Sequence, residues 1–471
     1  MPRQTAQPDS PRTRPLNRWA LLCLLAGGAV TGSAASAGEL IHVVPDLYSP
    51  GVLVPTADHV TTGALLEQAI SAARRGEPSR ALRLATDVLL ADPDNETARR
   101  VLGYQQRDGA WVTAFQAKQL DRGFLFSPRY GWVRKEDLAH YEAGQRRAGR
   151  RWVSLADDSQ QHASIDQGWQ VRTDHFLVTT NHSLEAGAGL AAELERLFQV
   201  WRQLFAGCYL GDAEIEDRFL GDRVARAPRR PFHVVFHRTR DQYVTALCHK
   251  QPRIADTLGI YFDDLREAHF YASDLPSQGT QADGRNEPSP QGVSDEVQLT
   301  LDSSQRATLY HEAVHQLFQE SLKARLDVGR DHGFWLVEGV ACYFESLAPT
   351  DQPGSYTIGS ADAARLPAAR HRLLVDGYYV PLAELASLGK PDLQRRQDLP
   401  QLYSQMAGLA TYLIQGEQGA LREPLVAHLK ALYSGRARED DLFQRIGRSA
   451  AELDKGYREF LRELAAPDSD G

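Results

Sequence analysis

Apolar residues recur along this chain with two different periods, which predict helices in some stretches and strands in others. Residues 60–105 carry two apolar stripes with helical spacing, separated by Gly76-Glu77-Pro78-Ser79. The same spacing predicts one long amphipathic helix from Leu184 to Leu204. Strand-like patterns occupy residues 169–180, 231–236, 259–262 and 269–271. The mixture predicts an α+β protein.

Another helix is predicted around residue 311, with a strand immediately before it. Apolar residues from Ala307 to Leu322 recur at spacings of three and four, and Asp302, Ser303 and Ser304 are N-cap candidates. Upstream, Val297, Leu299 and Leu301 alternate with polar residues, as in a half-exposed strand. An extended peptide can pair with the free edge of such a strand, so these three residues are the candidate substrate-binding residues.

The predicted helix contains His311-Glu312-Ala313-Val314-His315, which is an H-E-x-x-H motif. Positions i and i+4 share one face of a helix, so His311 and His315 can bind a single metal ion. Glu312 lies beside that face and is the candidate general base. Two imidazoles, an open coordination position and a nearby carboxylate are what a zinc hydrolase requires.

A zinc site of this kind needs a third protein ligand. The metzincin pattern places Gly and His three and six residues after the second histidine, but this chain has Phe318 and Ser321 there. Downstream, an apolar run from Phe334 to Glu345 has helical spacing and carries Glu338 near its start. A carboxylate in so apolar a run is costly unless it is paired or bound to metal.

Together these motifs resemble the gluzincin zinc peptidases, which include thermolysin and the aminopeptidase N type. The shared elements are the H-E-x-x-H motif, the segment Trp335-Leu336-x-Glu338-Gly339-x-Ala341, and Glu345 seven residues after Glu338. The resemblance implies a small mixed sheet with an edge strand, an active-site helix and a helical C-terminal part. It also implies that His311, His315 and Glu338 bind Zn²⁺, with Glu345 supporting the ligands from outside.

The resemblance extends to a candidate for stabilising the reaction's oxyanion. Leu402 to Ala407 is similar to a Tyr-containing helix start in aminopeptidase N-type enzymes, which makes Tyr403 the candidate donor. Tyr378, Tyr379 and His371 are alternatives for the same role. Residues 169–182 resemble a secreted domain of unknown function that is common in planctomycetes. A Gly-x-Met-Glu-Asn-like exopeptidase signature is missing from the sequence, which favours an endopeptidase.

The first 37 residues have the three parts of a secretory signal peptide. A basic region contains Arg3, Arg12, Arg14 and Arg18, an apolar core runs from Trp19 to Val30, and Ala35-Ser36-Ala37 is a cleavage motif. The apolar core is shorter than the roughly 20 residues of a transmembrane helix. We therefore expect cleavage after Ala37 and a secreted or periplasmic protein that is not integral to the membrane.

The remaining chain is expected to have a small N-terminal region and a larger catalytic domain. The divisions are a signal peptide at 1–37, an N-terminal region at 38–164, a gluzincin-like domain at 165–465 and a disordered tail at 466–471. Part of the N-terminal region resembles a single tetratricopeptide-like helix pair, and Trp111, Trp132 and Trp152 each mark a short hairpin with an aromatic anchor. This region is either a binding module or a proregion.

The composition of the chain bears on two questions: whether it binds nucleic acid, and whether its cysteines form disulfides. The apolar fraction of 42% and charged fraction of 24% are ordinary for a globular protein. The first 37 residues carry a net charge of +3, so the overall charge of −8 becomes about −11 after cleavage, without a basic footprint for nucleic acid. Cys208 and Cys248 can form one disulfide, and Cys342 is expected to be a small buried apolar residue.

The sequence therefore predicts an exported zinc-dependent peptidase that acts on peptides or proteins. The alternative is a catalytically silent peptidase-like protein that binds partners through its helical module. Zinc-dependent hydrolysis of a non-peptide amide would use the same metal site with a different pocket. A segment rich in Gly, Pro and Ser at 274–295 is either a flap over the cleft or an inert insertion.

Overall fold

A computed structural model describes residues 38–50, 61–211, 213–221, 230–272, 301–322, 324 and 327–464, and these residues form an α+β fold. The expected fold class is confirmed at this level. The expected signal peptide, the segment 274–295, the tail at 466–471, and Val297 and Leu299 lie outside the described residues.

The described chain begins with a short strand and three helices. They are β1 (Glu39–His42), α1 (Thr62–Arg74), α2 (Pro78–Ala91) and α3 (Glu96–Leu102). The predicted helix pair is confirmed as α1 and α2, with α3 added after Asn95, whose side chain caps it. Their apolar faces bury Ala85 and Leu89 in one cluster with Ala206 and Ile215 from farther along the chain. The helices therefore pack on the rest of the protein, as one isolated pair must.

Three similar hairpin–helix units follow. Their elements are β2 (Tyr104–Arg107), β3 (Ala110–Thr113), α4 (Ala114–Asp121), β4 (Phe124–Ser127), β5 (Gly131–Arg134), α5 (Leu138–Glu142), β6 (Gln145–Ala148), β7 (Arg151–Ser154) and α6 (Leu155–Gln161). The three predicted hairpins are confirmed, and each carries one of the tryptophans on its second strand. The short helix after each hairpin was not predicted. Thr113 and Ser154 cap the first and third of these helices with their side-chain oxygens.

A five-stranded sheet forms the centre of the second half. Its strands are β8 (Trp169–Arg172), β9 (Phe176–Thr180), β10 (Phe232–His237), β11 (Gly259–Phe262) and β12 (Glu267–Tyr271), in the order β11-β12-β10-β9-β8. The three inner strands are mutually parallel, and the two outer strands run antiparallel to their neighbours. The sheet therefore has β11 and β8 at its edges among the described residues.

The prediction of one continuous strand over residues 169–180 was wrong, because the chain turns at residues 173–175 to form the β8–β9 hairpin. Alternation continues through the turn, so the pattern does not reveal it. The turn is held by Asp174, a buried residue that accepts hydrogen bonds from the Tyr48 hydroxyl at 2.5 Å and from the Thr113 hydroxyl. Both donors come from distant parts of the sequence, so the stretch itself does not encode them.

Helices cover both faces of this sheet. Those in the first part are α7 (Leu184–Leu204), α8 (Ala206–Tyr209), α9 (Glu214–Leu220) and α10 (Arg240–Leu247), and α7 has the predicted bounds. On one face, α7 contacts β9 and β8 while the next helix, α11 (Ser303–Ser321), contacts β11 and β12. On the opposite face, Tyr243 of α10 joins a smaller cluster with Ile260 and Phe262.

The C-terminal part is mainly helical. Its elements are α12 (Phe334–Phe344), β13 (Ala348–Pro349), β14 (Ser355–Ile358), α13 (Leu366–Leu374), α14 (Leu382–Ser387), α15 (Lys390–Gln394), α16 (Leu399–Gln415), α17 (Arg422–Tyr433), α18 (Asp441–Ile446) and α19 (Ala450–Glu463). Short 3₁₀ turns lie at Lys135–Asp137, Ile165–Gln167, Ile254–Asp256 and Gly416–Gly419. None of the helices within the described ranges combines the length and apolarity needed to cross a bilayer.

The first described residues are built into the C-terminal part of the molecule. Strand β1 pairs antiparallel with β14 in a three-stranded sheet, and Ile41 and Val43 are buried in the main core. The Gln199 and Gln203 side chains of α7 hydrogen-bond the backbone of this segment. Removing residues 38–164 would therefore remove a strand and two core side chains from the part that contains α12.

Gly339 allows α12 and α16 to approach very closely. A Cβ atom at this position would lie 2.6 Å from the main-chain oxygen of Met406 on α16. Real Cβ atoms do not come so near to backbone, which cannot move aside as a flexible side chain can. The glycine therefore sets the distance between the helix that carries Glu338 and the helix that carries Tyr403.

We expect Gly339→Ala to destabilise the fold by about 1–3 kcal/mol, the usual cost of overpacking a core. Urea unfolding followed by circular dichroism measures this change. Gly63→Ala is the matched control, because its Cβ would meet nothing within 4 Å and its position is also helical. The control is expected to be neutral or slightly stabilising, since Ala favours helix. Equal midpoints for the two variants would contradict the close-approach explanation.

Candidate metal centre

Helix α11 begins where the sequence predicted it and presents the histidine motif inward. The Asp302 side chain accepts a hydrogen bond from the Gln305 main-chain N–H. The Gln305 side-chain oxygen accepts one from the Asp302 main-chain N–H, which completes a capping box. His311 and His315 lie one turn apart on the buried face, 6% and 3% exposed. Their Nε2 atoms face each other at 3.1 Å. Two imidazole nitrogens this close require a proton or a cation between them.

Helix α12 brings Glu338 to the same point. All eleven residues of this helix are buried, so Glu338 is a carboxylate held in the interior, facing α11. Its Oε2 lies 3.7 Å from His311 Nε2, and its Oε1 lies 3.7 Å from His315 Nε2. In a tetrahedral zinc site, metal–nitrogen bonds of about 2.0–2.1 Å place ligand atoms about 3.3 Å apart. The separations of 3.1–3.7 Å fit this arrangement, and these three residues could hold a metal ion.

Two of the three candidate ligands have the protonation state that suits a cation, whereas His311 must give up a proton to bind one. Burial lowers the pKa of His315 to about 3, so this imidazole is neutral and has a lone pair to donate. Burial opposes ionisation of Glu338, but the neighbouring His311 and the hydrogen bond from Tyr403 lower its pKa to about 2. Burial likewise opposes charge on His311, but Cys342, Glu338 and Glu345 outweigh it and raise the pKa of His311.

Glu312 lies beside the candidate ligands and next to an edge of the sheet. Its Oε2 accepts a hydrogen bond from the main-chain N–H of Tyr261 on β11 at 2.8 Å. Burial raises the pKa of Glu312 to about 7, despite the opposing effects of His311 and of this hydrogen bond. A carboxyl group with such a pKa can both accept and release a proton near neutral pH.

Glu345 supports His311 from the side opposite Glu338. Its Oε1 lies 2.9 Å from His311 Nδ1, which leaves Nε2 directed toward His315 and Glu338. The Arg365 guanidinium in turn donates to both oxygens of Glu345, at 2.7 and 3.1 Å. Carboxylates of this kind fix the tautomer and orientation of metal-binding histidines. The position expected for Glu345 therefore agrees with the geometry, whereas Arg365 was not predicted and has no sequence signal of its own.

We expect Glu345→Gln to weaken metal binding by about 10–100-fold, the usual effect of changing such a supporting partner. The amide keeps the shape of the side chain but lacks the charge that holds His311 and Arg365. Competition for zinc against a chelating dye measures the affinity. Glu384→Gln, which changes an exposed side chain of α14, is the control and should bind metal like the wild type. Unchanged affinity in Glu345→Gln would show that Glu345 does not orient His311.

Tyr403 is the only one of the four oxyanion candidates that reaches the described centre. Its hydroxyl donates to Glu338 Oε2 at 3.0 Å from the first part of α16. Tyr378 donates to Asp398 at 2.9 Å, and Tyr379 donates to Asp454. His371 is exposed and lies 3.4 Å from Asp376. The three alternatives are thus engaged elsewhere.

The described strand next to the centre is not the one that the sequence analysis assigned to substrate, and Val297 and Leu299 of that predicted strand lie outside the described residues. Leu301 is described and is not in a strand; it packs against the main core just before α11 begins. The described strand that approaches Glu312 is β11, since its Tyr261 N–H points at the carboxylate and not into the sheet. The sequence did predict a strand at residues 259–262 but assigned it no role, because apolar residues such as Ile260 give no sign of which strand edge faces a distant helix.

The three described cysteines are free. Cys208 is buried and Cys248 is exposed. The disulfide considered for this pair from the sequence is therefore not present in the structure. Cys342 is buried as expected, and it also lies beside two other potential metal ligands. Its sulfur lies in a group with His311 and Glu345 whose ligand atoms are all within 4.8 Å of one another. Burial raises the pKa of this thiol to about 11.

Comparison with known protein families gives a match over the region that carries this centre. A protein-family profile described as "Protein of unknown function (DUF1570)" matches residues 305–390, which include both histidines, Glu312, Glu338 and Glu345. No curated protein matches the chain.

Proposed function

We propose that this protein is a zinc-dependent hydrolase of peptide bonds, in which His311, His315 and Glu338 hold the metal. The observation that supports this most directly is the convergence of two imidazole Nε2 atoms and one carboxylate on a single point, at 3.1–3.7 Å from one another. All three side chains are buried and come from two packed helices, so their positions are held by the core. Zinc suits two nitrogen ligands and one oxygen ligand, and leaves a coordination position for substrate or water.

When bound, zinc supplies an acidified water and a Lewis acid for the substrate carbonyl. The role of Glu312 follows from its surroundings. Its carboxylate is buried beside the ligand pair, and one oxygen is held by the Tyr261 N–H. The other oxygen can accept a proton from the attacking water and pass it to the departing amine nitrogen. Because burial raises the pKa of Glu312 to about 7, this carboxyl group can take up and release a proton near neutral pH.

The Tyr403 hydroxyl would turn from Glu338, to which it now donates its single proton, to donate a hydrogen bond to the oxyanion that forms from the carbonyl oxygen. Its hydroxyl is 3.0 Å from Glu338 Oε2, at the side of the centre formed by α16. The ring is buried and packs near the Arg365 guanidinium, 5.4 Å from the ring centre, which restricts its movement. Burial raises the pKa of the Tyr403 hydroxyl, and so does the nearby charge of Glu338. The hydroxyl therefore stays protonated and able to donate.

The substrate that best fits this arrangement is an extended polypeptide. Strand β11 is an edge of the five-stranded sheet among the described residues, and its Tyr261 N–H already points toward Glu312. A peptide added along this edge would pair with backbone groups and place a peptide bond beside the general base. Backbone pairing does not depend on sequence, which suits a peptidase better than a hydrolase of one small amide.

Metal analysis and peptide cleavage test the proposal together. Purified protein is assayed for zinc by mass spectrometry and for cleavage of a peptide library, before and after chelation. We expect about one zinc per chain, loss of cleavage on chelation, and recovery on adding zinc. His315→Ala should lose both properties, whereas His249→Ala, which changes an exposed histidine, should keep both. A zinc-free wild type, or cleavage that survives chelation, would overturn the proposal.

Two further outcomes separate the alternatives. Zinc binding without cleavage of any peptide, together with hydrolysis of small amides, would indicate a non-peptide amidase. Stable capture of a protein by a chain that neither binds zinc nor cleaves would indicate a silent binding protein. Both results would overturn the peptidase assignment, and only the second would overturn the metal site.

A further inference from the structure

One side of α12, together with its C-cap residue Glu345, carries three potential ligands on successive turns. Glu338, Cys342 and Glu345 are separated by four and three residues, so they share a helix face, and that face packs against His311 of α11. His311 lies between the turns: its Nε2 is on the Glu338 side and its Nδ1 is on the Glu345 side. The Glu345 side has its own cluster, in which His311, Cys342 and Glu345 bring ligand atoms within 4.8 Å of one another.

We propose that His311, Cys342 and Glu345 form an inner cation site that binds thiophilic metal ions, and that this site competes with the outer site of His311, His315 and Glu338 for one imidazole. The inner site offers nitrogen, sulfur and oxygen, whereas the outer site offers nitrogen and oxygen only. Sulfur ligands favour soft ions such as Cd²⁺ and Cu⁺. The inference rests on the proposed metal triad for its effect on function, but the inner site exists independently of peptidase activity.

Competition follows from the chemistry of a single imidazole ring. Neutral imidazole has one N–H and one lone pair, so it can bind a metal through one nitrogen only. In the present arrangement His311 Nδ1 faces the Glu345 carboxylate and Nε2 faces the outer site. An ion bound to Nδ1 moves that ring proton to Nε2, which removes the lone pair from the outer site. The Cys342 thiol releases its proton to solvent as the sulfur–metal bond forms.

The surroundings provide a reason for the preference for thiophilic ions. Glu345 is already paired with the Arg365 guanidinium through both oxygens, so its negative charge is largely balanced. The charge that attracts a cation must then come from Cys342, which is 1% exposed. Only an ion with a strong affinity for sulfur can displace a proton from a thiol in such a place. Ions that prefer oxygen and nitrogen therefore bind the outer site.

Cadmium binding to the metal-free full-length protein tests the inner site directly. Cadmium bound to a thiolate absorbs in the ultraviolet through sulfur-to-metal charge transfer, which reports the bond and not the activity. We expect this band to grow to saturation at about one cadmium per chain in the wild type, in Cys208→Ser and in Cys248→Ser. Cys208 is the matched control because it is also buried and free. Cys342→Ser should lack the band and bind cadmium at least about 10-fold more weakly.

A band of equal size in Cys342→Ser would overturn the proposal, and so would cadmium binding to the wild type without a band. If circular dichroism shows that Cys342→Ser is unfolded, Cys342→Ala takes its place, since alanine places no hydroxyl in the apolar interior. His315→Ala must keep the band, because the inner site does not use that residue. The two proposals can also fail separately. If the wild type shows the cadmium band but cleaves no peptide, the inner site is supported and the peptidase proposal is overturned.

Competition is tested on zinc-loaded protein. After cadmium is added and free metal is removed by gel filtration, zinc and cadmium are counted per chain. We expect each bound cadmium with a charge-transfer band to release one zinc, and the Cys342→Ser protein to keep its zinc at the same cadmium concentration. Simultaneous retention of zinc and of the cadmium–sulfur band would overturn the competition through His311.

Discussion

Glu312→Gln is expected to lower kcat/KM for peptide hydrolysis by about 10²–10⁴-fold, the usual contribution of a general acid–base group, while zinc content stays unchanged. Glutamine has nearly the same shape and can still occupy the place beside the Tyr261 N–H. It cannot accept the proton of the attacking water. Because Glu312 is beside the candidate ligands and not one of them, the loss should appear in turnover and not in metal affinity. Steady-state kinetics with a peptide cleaved by the wild type, combined with metal analysis, measures both.

The nearby variant Glu320→Gln is the control for Glu312→Gln. Glu320 lies on the same helix, but its carboxylate pairs with Arg266 at 2.6 Å, away from the ligand atoms. It should retain activity close to that of the wild type. If Glu312→Gln also cleaves at the wild-type rate, Glu312 is not the general base and the proposed mechanism fails. Loss of zinc in Glu312→Gln would instead show that this residue holds the metal centre together.

Tyr403→Phe is expected to lower kcat by about 10²–10³-fold, the usual cost of losing one donor to an oxyanion. Substrate KM should change little, because the hydroxyl is proposed to act in the transition state and not on the ground-state carbonyl. The change also removes the hydrogen bond to Glu338 at 3.0 Å, so zinc affinity is measured in parallel. A large fall in kcat with zinc retained supports the oxyanion role.

Tyr378→Phe and Tyr379→Phe are the matched controls, because both hydroxyls donate to aspartates outside the centre. They should alter turnover far less than Tyr403→Phe does. If Tyr403→Phe loses zinc and regains full turnover at high zinc concentration, Tyr403 orients Glu338 and does not stabilise the oxyanion. Equal kinetics for all three variants would remove Tyr403 from the mechanism.

The sequence alone was sufficient to predict structural features whose causes lie within one helix. The bounds of α7, the capping of α11 by Asp302 and the shared face of His311 and His315 follow from spacing of three and four residues and from the N-cap side chain. The position of Glu338 on the next helix was anticipated from its motif and from the cost of an unpaired buried carboxylate. Helix bounds, capping and shared helix faces depend on residues close in sequence, so the pattern of the sequence encodes them.

The tertiary structure decided what depends on contacts between distant residues. Residues 169–180 form a hairpin, and distant residues Tyr48 and Thr113 hold Asp174 at its turn. Strand β11 faces Glu312 because of how the sheet packs on α11, which no pattern in residues 259–262 reveals.

Cys342 illustrates the division between the two levels most clearly. Its place in an apolar helix predicted burial, which the structure confirms. Its place beside His311 and Glu345 depends on the rotation of α12 against α11, and therefore on the close approach of α12 to α16 at Gly339. Sequence by itself determined which side chains are available to bind a metal. Only the packing of three helices decided which of them meet, because the distance between two helices depends on every side chain between them.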